Sequence, residues 1–144
     1  MFSKTCEYAI RALIYLAQRS KSGQKTSIKE IAKGIGSPEH FIAKILQDLG
    51  KKKLVASSKG PHGGFYLDES YLKKSVADIV LAVDGDKIFT GCGLGLNNCS
   101  EKKPCPIHHE FKHIRENITA MLRNATLADF ENSDDEKITF LTIK

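Results

Sequence analysis

Three of the four cysteines lie close together in the chain, and a histidine follows them. Cys92, Cys99, Cys105 and His108 have the spacing C-x6-C-x5-C-x2-H. Thiolate sulfur is a soft ligand that suits iron–sulfur clusters and zinc, and imidazole binds many of the same metals. The intervening residues are small, polar and turn-forming, which is typical of a loop wrapped around something small and not of a packed core. This stretch is therefore the first candidate for chemistry.

The residue types leave three interpretations of this loop open. An iron–sulfur cluster with histidine in place of thiolate has a raised reduction potential, which suits a sensor. Three cysteines and a histidine also form structural zinc sites, but those usually contain a short C-x2-C hairpin, and here only the step from Cys105 to His108 is that tight. The third interpretation is a metal-free thiol switch. His109 and His113 are interpreted as exposed helix residues and not as ligands.

The sequence gives no sign of a membrane protein or an enzyme. The chain has 144 residues, 41% of them hydrophobic, as expected for one or two small domains. No apolar run approaches the roughly 18 residues of a membrane span, and the N-terminus lacks the features of a signal peptide. We therefore expect a cytoplasmic protein with reduced thiols. No nucleophile–base constellation, nucleotide-binding loop or carboxylate pair stands out, so we expect neither catalysis nor a small-molecule substrate.

Positive charge is concentrated in the first half of the chain. The formal net charge is +5, but residues 1–66 hold 12 Lys and Arg against 4 Asp and Glu, whereas residues 67–144 hold 10 against 13. A basic excess on one part of a chain is the electrostatic footprint of a nucleic-acid partner. The element that binds DNA is therefore expected before residue 67.

Helix signals organise this basic half. Residues 4–19 have the apolar periodicity of a helix, and Cys6 within it is interpreted as a small core residue. Ser27 and Glu30 form a capping-box pattern that begins a short second helix, which is predicted to end at Gly34.

A third helix completes a helix-turn-helix over about residues 28–50. Ser37 is its predicted N-cap, Pro38 occupies its first turn, and Gly50 ends it. The N-terminal part of such a recognition helix enters the major groove of DNA. The residues predicted to face DNA from this helix are Ser37, Glu39, His40, Lys44 and Gln47.

A basic hairpin is predicted directly after the recognition helix, over about residues 54–67. Residues 54–56 and 65–67 have strand composition, and the glycine-rich turn between them allows the backbone to approach phosphates closely. A hairpin in this position is the wing of a winged-helix domain. The DNA contacts predicted for the helix end and the wing are Lys51, Lys52, Ser58, Lys59, Gly60, His62 and Gly63.

The C-terminal part of the chain is predicted to dimerise. A helix opens at the Ser75–Asp78 capping box, and after the cysteine loop apolar residues recur at spacings of four and three. Such a narrow seam predicts a long helix that pairs with a second copy of the chain. The seam residues assigned to the dimer are Phe111, Ile114, Ile118 and Met121. Residues 138–143 alternate weakly and are expected to add a strand.

The predicted fold class is therefore mainly α with a small β-hairpin: a winged helix-turn-helix plus a long C-terminal dimerisation helix. The expected organisation is a DNA-binding domain over residues 1–85, a cysteine sensor loop over residues 86–108, and the dimerisation helix and tail over residues 106–144. A small iron–sulfur electron-transfer protein is the alternative from another functional class. The basic half, the wing and the absence of a fourth cysteine at ferredoxin spacing argue against it.

The chain resembles the IscR/NsrR family of bacterial winged-helix regulators, also called the Rrf-two family. The resemblance rests on five segments that together cover nearly the whole chain. They are SKTCEYAIRALIYLA, IKEIAKGIGSPEHFIAKILQDL, KGPHGGFYL, SVADIVLAVDG and the cysteine loop with the helix after it. This resemblance implies a homodimeric transcriptional regulator that binds near-palindromic double-stranded promoter DNA and acts as a repressor. Its DNA binding would change with a two-iron or four-iron cluster that the isolated protein can lack.

The resemblance also implies a ligand set. Cys92, Cys99 and Cys105 correspond to the three cluster thiolates, and His108 to the fourth ligand in the branch that regulates iron–sulfur assembly. In the nitric-oxide-sensing branch the fourth ligand is a carboxylate from the first helix of the partner subunit, where this chain has Glu7. The chain departs from the family pattern by one extra residue in the first cysteine gap. It also has a lysine in the wing where the family usually has arginine. The lysine ammonium is a point charge, whereas the arginine guanidinium can form two parallel hydrogen bonds.

Overall fold

The computed structural model describes residues 1–131 and Leu141, which form a mostly helical fold with one antiparallel hairpin. The fold class predicted from the sequence is confirmed. The helices are α1 (Lys4–Gln18), α2 (Ile28–Ile35), α3 (Glu39–Lys51), α4 (Glu69–Leu72), α5 (Val76–Asp84), α6 (Lys87–Thr90) and α7 (His108–Asn124), with 3-10 turns at Ser20–Ser22 and Leu127–Phe130. The strands are β1 (Ala56–Ser58) and β2 (Gly64–Tyr66). Apart from Leu141, the strand predicted over residues 138–143 lies outside the described residues.

Helix α1 is the central element of the core. The Ser3 hydroxyl caps it by accepting a hydrogen bond from the Cys6 N–H at 3.0 Å, as the sequence predicted. Its buried face includes Ala12 and Leu13 and packs against α2, α3 and α5. Small residues on that face let the neighbouring helices approach closely. The helix-turn-helix is therefore built directly onto α1.

Two clusters of buried side chains hold the helices together. The larger one joins α1, α2 and α3 to the base of the hairpin. The smaller one joins α1 through Cys6 and α5 through Val80 to Leu122 on α7. Since α1 and α5 contribute to both clusters, they connect the helix-turn-helix to the C-terminal helix. The cysteine loop precedes α7, so it is connected to α3 through these packed helices.

The predicted end of α2 and the predicted start of α3 were both wrong. Helix α2 continues beyond Gly34 to Ile35, because Gly36 adopts the left-handed conformation that ends it. Pro38, and not Ser37, is the N-cap of α3. The Ser37 hydroxyl donates to the Pro38 carbonyl at 3.3 Å and is therefore not used to cap the helix amides. The recognition helix also ends one residue later than Gly50.

The predicted first wing strand was wrong in position. Leu54 and Val55 are both buried in the core, with 4% and 3% of their surface exposed, and the strand begins at Ala56. Two consecutive buried residues do not fit the alternating faces of a half-exposed strand. The hairpin pairs Ala56 with Tyr66 and Ser58 with Gly64. The wing therefore starts only after the chain has left the core.

Lys53 makes the turn between α3 and the wing in a left-handed conformation, with φ +58°. A side chain in this region costs about 1–2 kcal/mol relative to glycine. We therefore expect Lys53→Gly to raise the free energy of unfolding in urea by about 1 kcal/mol. Lys51→Gly, which places glycine in the last turn of α3, is the matched control and is expected to lower it. Equal losses for both variants would contradict this account of the turn.

Candidate functional site

The recognition helix α3 presents the residues that were predicted to read DNA. Ile42, Ile45, Leu46 and Leu49 are buried against the core, whereas His40, Lys44 and Gln47 lie on the exposed face. Glu39 is also exposed, and Ser37 is partly buried in the turn before the helix. The exposed face is continuous from the first turn of α3 to Gln47. It can enter a major groove without unpacking the core.

Phe41 is an exposed residue of this face, although it adjoins the apolar residues of α3 in the sequence. It is 51% exposed, and its ring centroid lies 4.4 Å from that of His40. It lines a groove of about 700 Å³ between α1 and α3, with Tyr8 and Lys44 on the same groove. The sequence could not reveal this, because a residue at the border of a helical stripe is assigned to a face only by its tertiary neighbours.

Lys52 has partners within the chain. Its ammonium forms an ion pair with Asp48 at 2.9 Å and donates to the carbonyl of Ala82 at 2.6 Å. These contacts link the C-terminal end of α3 to the C-terminal part of α5. Lys51, in contrast, is exposed beside the α1–α3 groove. Of the predicted basic run, Lys51 is thus better placed for a phosphate than Lys52.

The tip of the wing exposes Lys59, Gly60 and His62, while Ser58 and Gly63 are partly buried at its base. Gly63 cannot be replaced there without displacing backbone. A Cβ atom on it would lie 2.3 Å from the carbonyl oxygen of Ser58. The tight turn at the wing tip therefore depends on this glycine.

We expect Gly63→Ala to open the wing and weaken DNA binding. The added methyl group would force the backbone at Ser58 to move, a strain of about 1–3 kcal/mol. A mobility-shift titration should show an affinity loss of about tenfold or more, with circular dichroism of the helices unchanged. Gly50→Ala is the control for side-chain size, because Gly50 lies in helix α3 and the nearest atom to its Cβ position, the Val55 carbonyl oxygen, is 4.0 Å away. Equal affinity of the Gly63→Ala and parent proteins would contradict a role for the wing.

The cysteine loop runs between α6 and α7 and is fastened to α7. The Arg115 guanidinium donates to the carbonyl of Gly91 at 2.9 Å. The Phe111 ring packs on the backbone of Gly93, where a Cβ atom would lie 2.8 Å from the ring. Glu101 forms an ion pair with Lys112. The start and the middle of the loop therefore rest on the first two turns of α7.

Of the four predicted ligands, the structure brings the side chains of Cys99 and His108 together, with Cys99 Sγ 3.3 Å from His108 Nδ1. The Leu94 N–H donates to Cys92 Sγ at 3.4 Å. Backbone N–H groups, first that of Leu94, and the Cys105 side chain lower the pKa of the Cys92 thiol. The Cys105 carbonyl accepts a hydrogen bond from the His108 N–H at 3.0 Å. All three loop cysteines are free thiols and only partly exposed.

His108 has an unusual environment for a histidine at the start of a helix. It is 3% exposed, and its buried Nε2 has no hydrogen-bond partner among the described residues, although Glu101 Oε1 lies 3.5 Å away. An unpartnered buried polar atom is costly unless a ligand or ion completes it. Three thiols and this imidazole form a donor set that fits an iron–sulfur cluster or another thiophilic metal.

The fourth cysteine has a different role. Cys6 is completely buried between α1, α5 and α7, and burial, with the Asp84 carboxylate, raises the pKa of its thiol to about 12. A neutral buried thiol is inert, which agrees with its interpretation as a core residue. Glu7, the other ligand candidate on α1, is partly exposed and pairs with Lys4 at 3.3 Å.

The residues predicted to form the dimer seam separate into two groups on α7. Phe111 and Ile118 are partly buried, and Ile118 packs against the cluster that contains Leu122. Ile114 and Met121 are each 55% exposed. The sequence analysis missed Leu122, which is 3% exposed and docks α7, because it lies outside the seven-residue repeat. One side of α7 therefore packs within the chain and the other is open.

A search of the described residues for membrane spans found no helix with both the length and the hydropathy that crossing a bilayer requires.

Comparisons with known proteins agree with this architecture. The Rrf2 family model, described as an iron-dependent transcriptional regulator, matches residues 2–133. A protein of Aquifex aeolicus that is described as an HTH-type transcriptional regulator is 32% identical over 96% of both chains. The HTH-type transcriptional regulator IscR of Yersinia pseudotuberculosis is 30% identical over 89% of this chain and 77% of its own length.

Solved structures show the same fold. The structure of CymR, the global cysteine regulator of B. subtilis, superposes with a TM-score of 0.74 and 23% identity, covering 94% of this chain and 98% of CymR. IscR of T. potens gives a TM-score of 0.71 and 23% identity, covering 94% of this chain and 89% of IscR.

Proposed function

The chain belongs to the Rrf2 family of transcriptional regulators, which are not enzymes, and from that premise we propose that it is a cytoplasmic, homodimeric repressor controlled by an iron–sulfur cluster. The cluster would be held by Cys92, Cys99, Cys105 and His108. The observation that carries this proposal is the donor set. Three free thiols share one loop with a buried histidine, whose Nδ1 lies 3.3 Å from Cys99 Sγ.

His108 is preferred over Glu7 of the partner subunit as the fourth ligand. It is buried at the loop, 3.3 Å from a predicted thiolate ligand, and its backbone is fixed by Cys105. When bound, the cluster supplies a centre that responds to oxidation, nitric oxide or iron–sulfur supply. Its loss leaves the loop to be ordered by the chain's own contacts, namely Phe111 on Gly93 and Arg115 on the Gly91 carbonyl.

These contacts provide a physical route from the loop to DNA. The loop rests on α7, and α7 packs on α5 through Leu122. Helix α5 is tied to the end of α3 by the hydrogen bond from Lys52 to the Ala82 carbonyl. A change in the loop that shifts α7 would therefore shift α5 and the recognition helix together. Contiguous packed elements of this kind can carry coupling between sites.

The DNA-binding mode follows from the exposed faces. Each subunit would place α3 in a major groove and the wing tip on the flanking backbone or minor groove. Ile114 and Met121, exposed on α7, would pair with their counterparts in a second copy. A two-fold dimer reads a near-palindrome whose half-sites lie about one or two helical turns apart.

The first experiment is an anaerobic purification with a visible absorption spectrum and with iron and acid-labile sulfide measured per monomer. A coloured protein with matched iron and sulfide is the expected result, and the ratio distinguishes a two-iron from a four-iron cluster. Colourless protein that stays free of iron after reconstitution with iron and sulfide would overturn the cluster proposal. DNA binding would then be tested separately with a mobility shift.

A thiol switch between Cys92 and Cys105 is the second candidate function, favoured by the environment of the Cys92 thiol. The lowered pKa of Cys92 favours thiolate, the reactive form of cysteine. Hydrogen peroxide would oxidise the two thiols to a disulfide, with two electrons and two protons passing to the peroxide to give water. In cluster-free protein, peroxide should change DNA affinity, and Cys105→Ser should remove the change. An unchanged affinity after peroxide treatment would exclude this switch.

A further inference from the structure

A second group of metal-ligating side chains lies beside the cysteine loop. One ligand atom each of Glu101, His108 and His109 comes within 4.8 Å of the other two. Glu101 belongs to the loop, while the two histidines begin α7. The sequence analysis treated His109 as an exposed helix residue and did not consider Glu101. The group appears only in the tertiary structure, because the loop folds back onto the first turn of α7.

We propose that cluster-free protein binds one divalent transition-metal ion of the zinc class through Glu101, His108 and His109. Two imidazoles and one carboxylate are a ligand set that zinc uses in proteins, with water completing the coordination. The open side of the group suits such a water, since Glu101 and His109 are exposed. This site is distinct from the cysteine set, because it uses Nε2 of His108 and not the Nδ1 that faces Cys99.

The geometry of His108 is the independent support for this site. Its Nδ1 faces Cys99 Sγ at 3.3 Å, so its Nε2 points away from the thiols and towards Glu101 Oε1, 3.5 Å away. This Nε2 is buried and has no hydrogen-bond partner within the described part of the chain. A metal ion would give this nitrogen a partner. The His109 ring stands edge-on to His108, with centroids 5.3 Å apart and planes at 81°, and supplies the third ligand.

Lys112 is the cation that now neutralises Glu101. The two side chains form an ion pair, and Lys112 lowers the pKa of the Glu101 carboxyl. Both partners reach solvent, with 36% and 59% of their side chains exposed. A single exposed ion pair is weak and exchanges readily. It holds the carboxylate near the histidines without preventing a divalent ion from replacing the ammonium.

Competition between the two sites would connect metal supply to cluster assembly. His108 is a member of both ligand sets, and a neutral imidazole offers a lone pair on only one of its two nitrogens. A divalent ion held on Nε2 would leave the proton on Nδ1, the nitrogen that faces Cys99. Cluster insertion would therefore compete with that ion. The inference does not depend on the cluster proposal, since the second site needs none of the cysteines.

The test uses full-length protein in which Cys92, Cys99 and Cys105 are replaced by serine, so that thiolates cannot bind the added metal. Titration with zinc sulfate in a calorimeter should show one ion bound per monomer. Cobalt(II) should bind without the thiolate-to-cobalt charge-transfer absorption that cysteine ligation gives. Circular dichroism should confirm that the variant keeps its helices. Absence of saturable zinc binding to this folded variant would overturn the proposal.

Single substitutions in that background assign the ligands. Glu101→Gln and His109→Gln are each expected to weaken zinc binding by about tenfold or more, as ligand-shell changes do. His113→Gln is the matched control, since His113 is an exposed histidine on the same helix outside the group. An equal loss with His113→Gln would identify adventitious histidine binding and contradict the site. In the wild-type background, His109→Gln should leave iron and sulfide content unchanged, which separates this proposal from the cluster.

Discussion

Cys99→Ala protein purified without oxygen is expected to contain no iron and no acid-labile sulfide. Cys99 is the predicted ligand whose sulfur lies beside His108, so its removal takes away one thiolate and leaves the histidine without its neighbour. Thiolates contribute most of the affinity of such sites. The visible absorption band should be lost, and DNA affinity should no longer differ between aerobic and anaerobic protein.

Cys6→Ala is the matched control for this experiment. Cys6 is a cysteine of the same chain, but it is completely buried in the core and lies outside the loop. This variant should keep the full complement of iron and sulfide, although the lost sulfur leaves a small cavity that lowers stability by about 1 kcal/mol. Iron retained by Cys99→Ala at the parent level would show that the ligand assignment is wrong.

His108→Ala tests whether His108 is the fourth ligand of the cluster. If His108 is the fourth ligand, the variant should show a shifted visible spectrum or lose its cluster faster in air. Glu7→Gln should behave like the parent protein, because Glu7 pairs with Lys4 on α1. The opposite pattern, with Glu7→Gln altered and His108→Ala unchanged, would assign the fourth ligand to the partner subunit's first helix.

The second large effect is expected from substitutions on α3, which should weaken sequence-specific DNA binding. Lys44 and Gln47 lie on the exposed face of α3, which we propose enters the major groove. Replacing either one by alanine should cost about 1–3 kcal/mol at the cognate site and relax discrimination at the contacted position. Competition binding with a set of single-base operator variants measures both effects. An unchanged order of preference among those variants would move the reading surface away from α3.

Lys59 should behave differently from Lys44. At the exposed wing tip it is placed to contact phosphate, so Lys59→Ala should weaken binding to all sequences and reduce the slope of log affinity against log salt by about 1. Lys73→Ala removes the same charge from the residue that follows α4, outside the helix-turn-helix and the wing, and serves as the control. Equal salt slopes for Lys59→Ala and the parent protein would exclude a phosphate contact at the wing.

Local signals in the sequence were sufficient to predict most of the helices and the hairpin. Caps such as Ser3 act within one helical turn, so they locate helix starts without knowledge of the fold. The helix-turn-helix, the wing and the cysteine spacing follow from residues that are neighbours in the chain. The predicted start of the first wing strand was wrong, because Leu54 and Val55 are both buried in the core. A local pattern does not reveal such a tertiary contact.

The tertiary structure alone decided which side chains meet. Lys52 reaches Ala82, Phe111 covers Gly93, and Glu101 approaches the histidines of α7, all across chain separations that no periodicity encodes. Amphipathic patterns define a face of a helix but not the neighbour that covers it, because many partners can bury the same stripe. The sequence by itself therefore determined which donor atoms the loop carries and which helix is proposed to read DNA. The packing determined how the loop is connected to that helix, and it created the second metal-ligating group beside the loop.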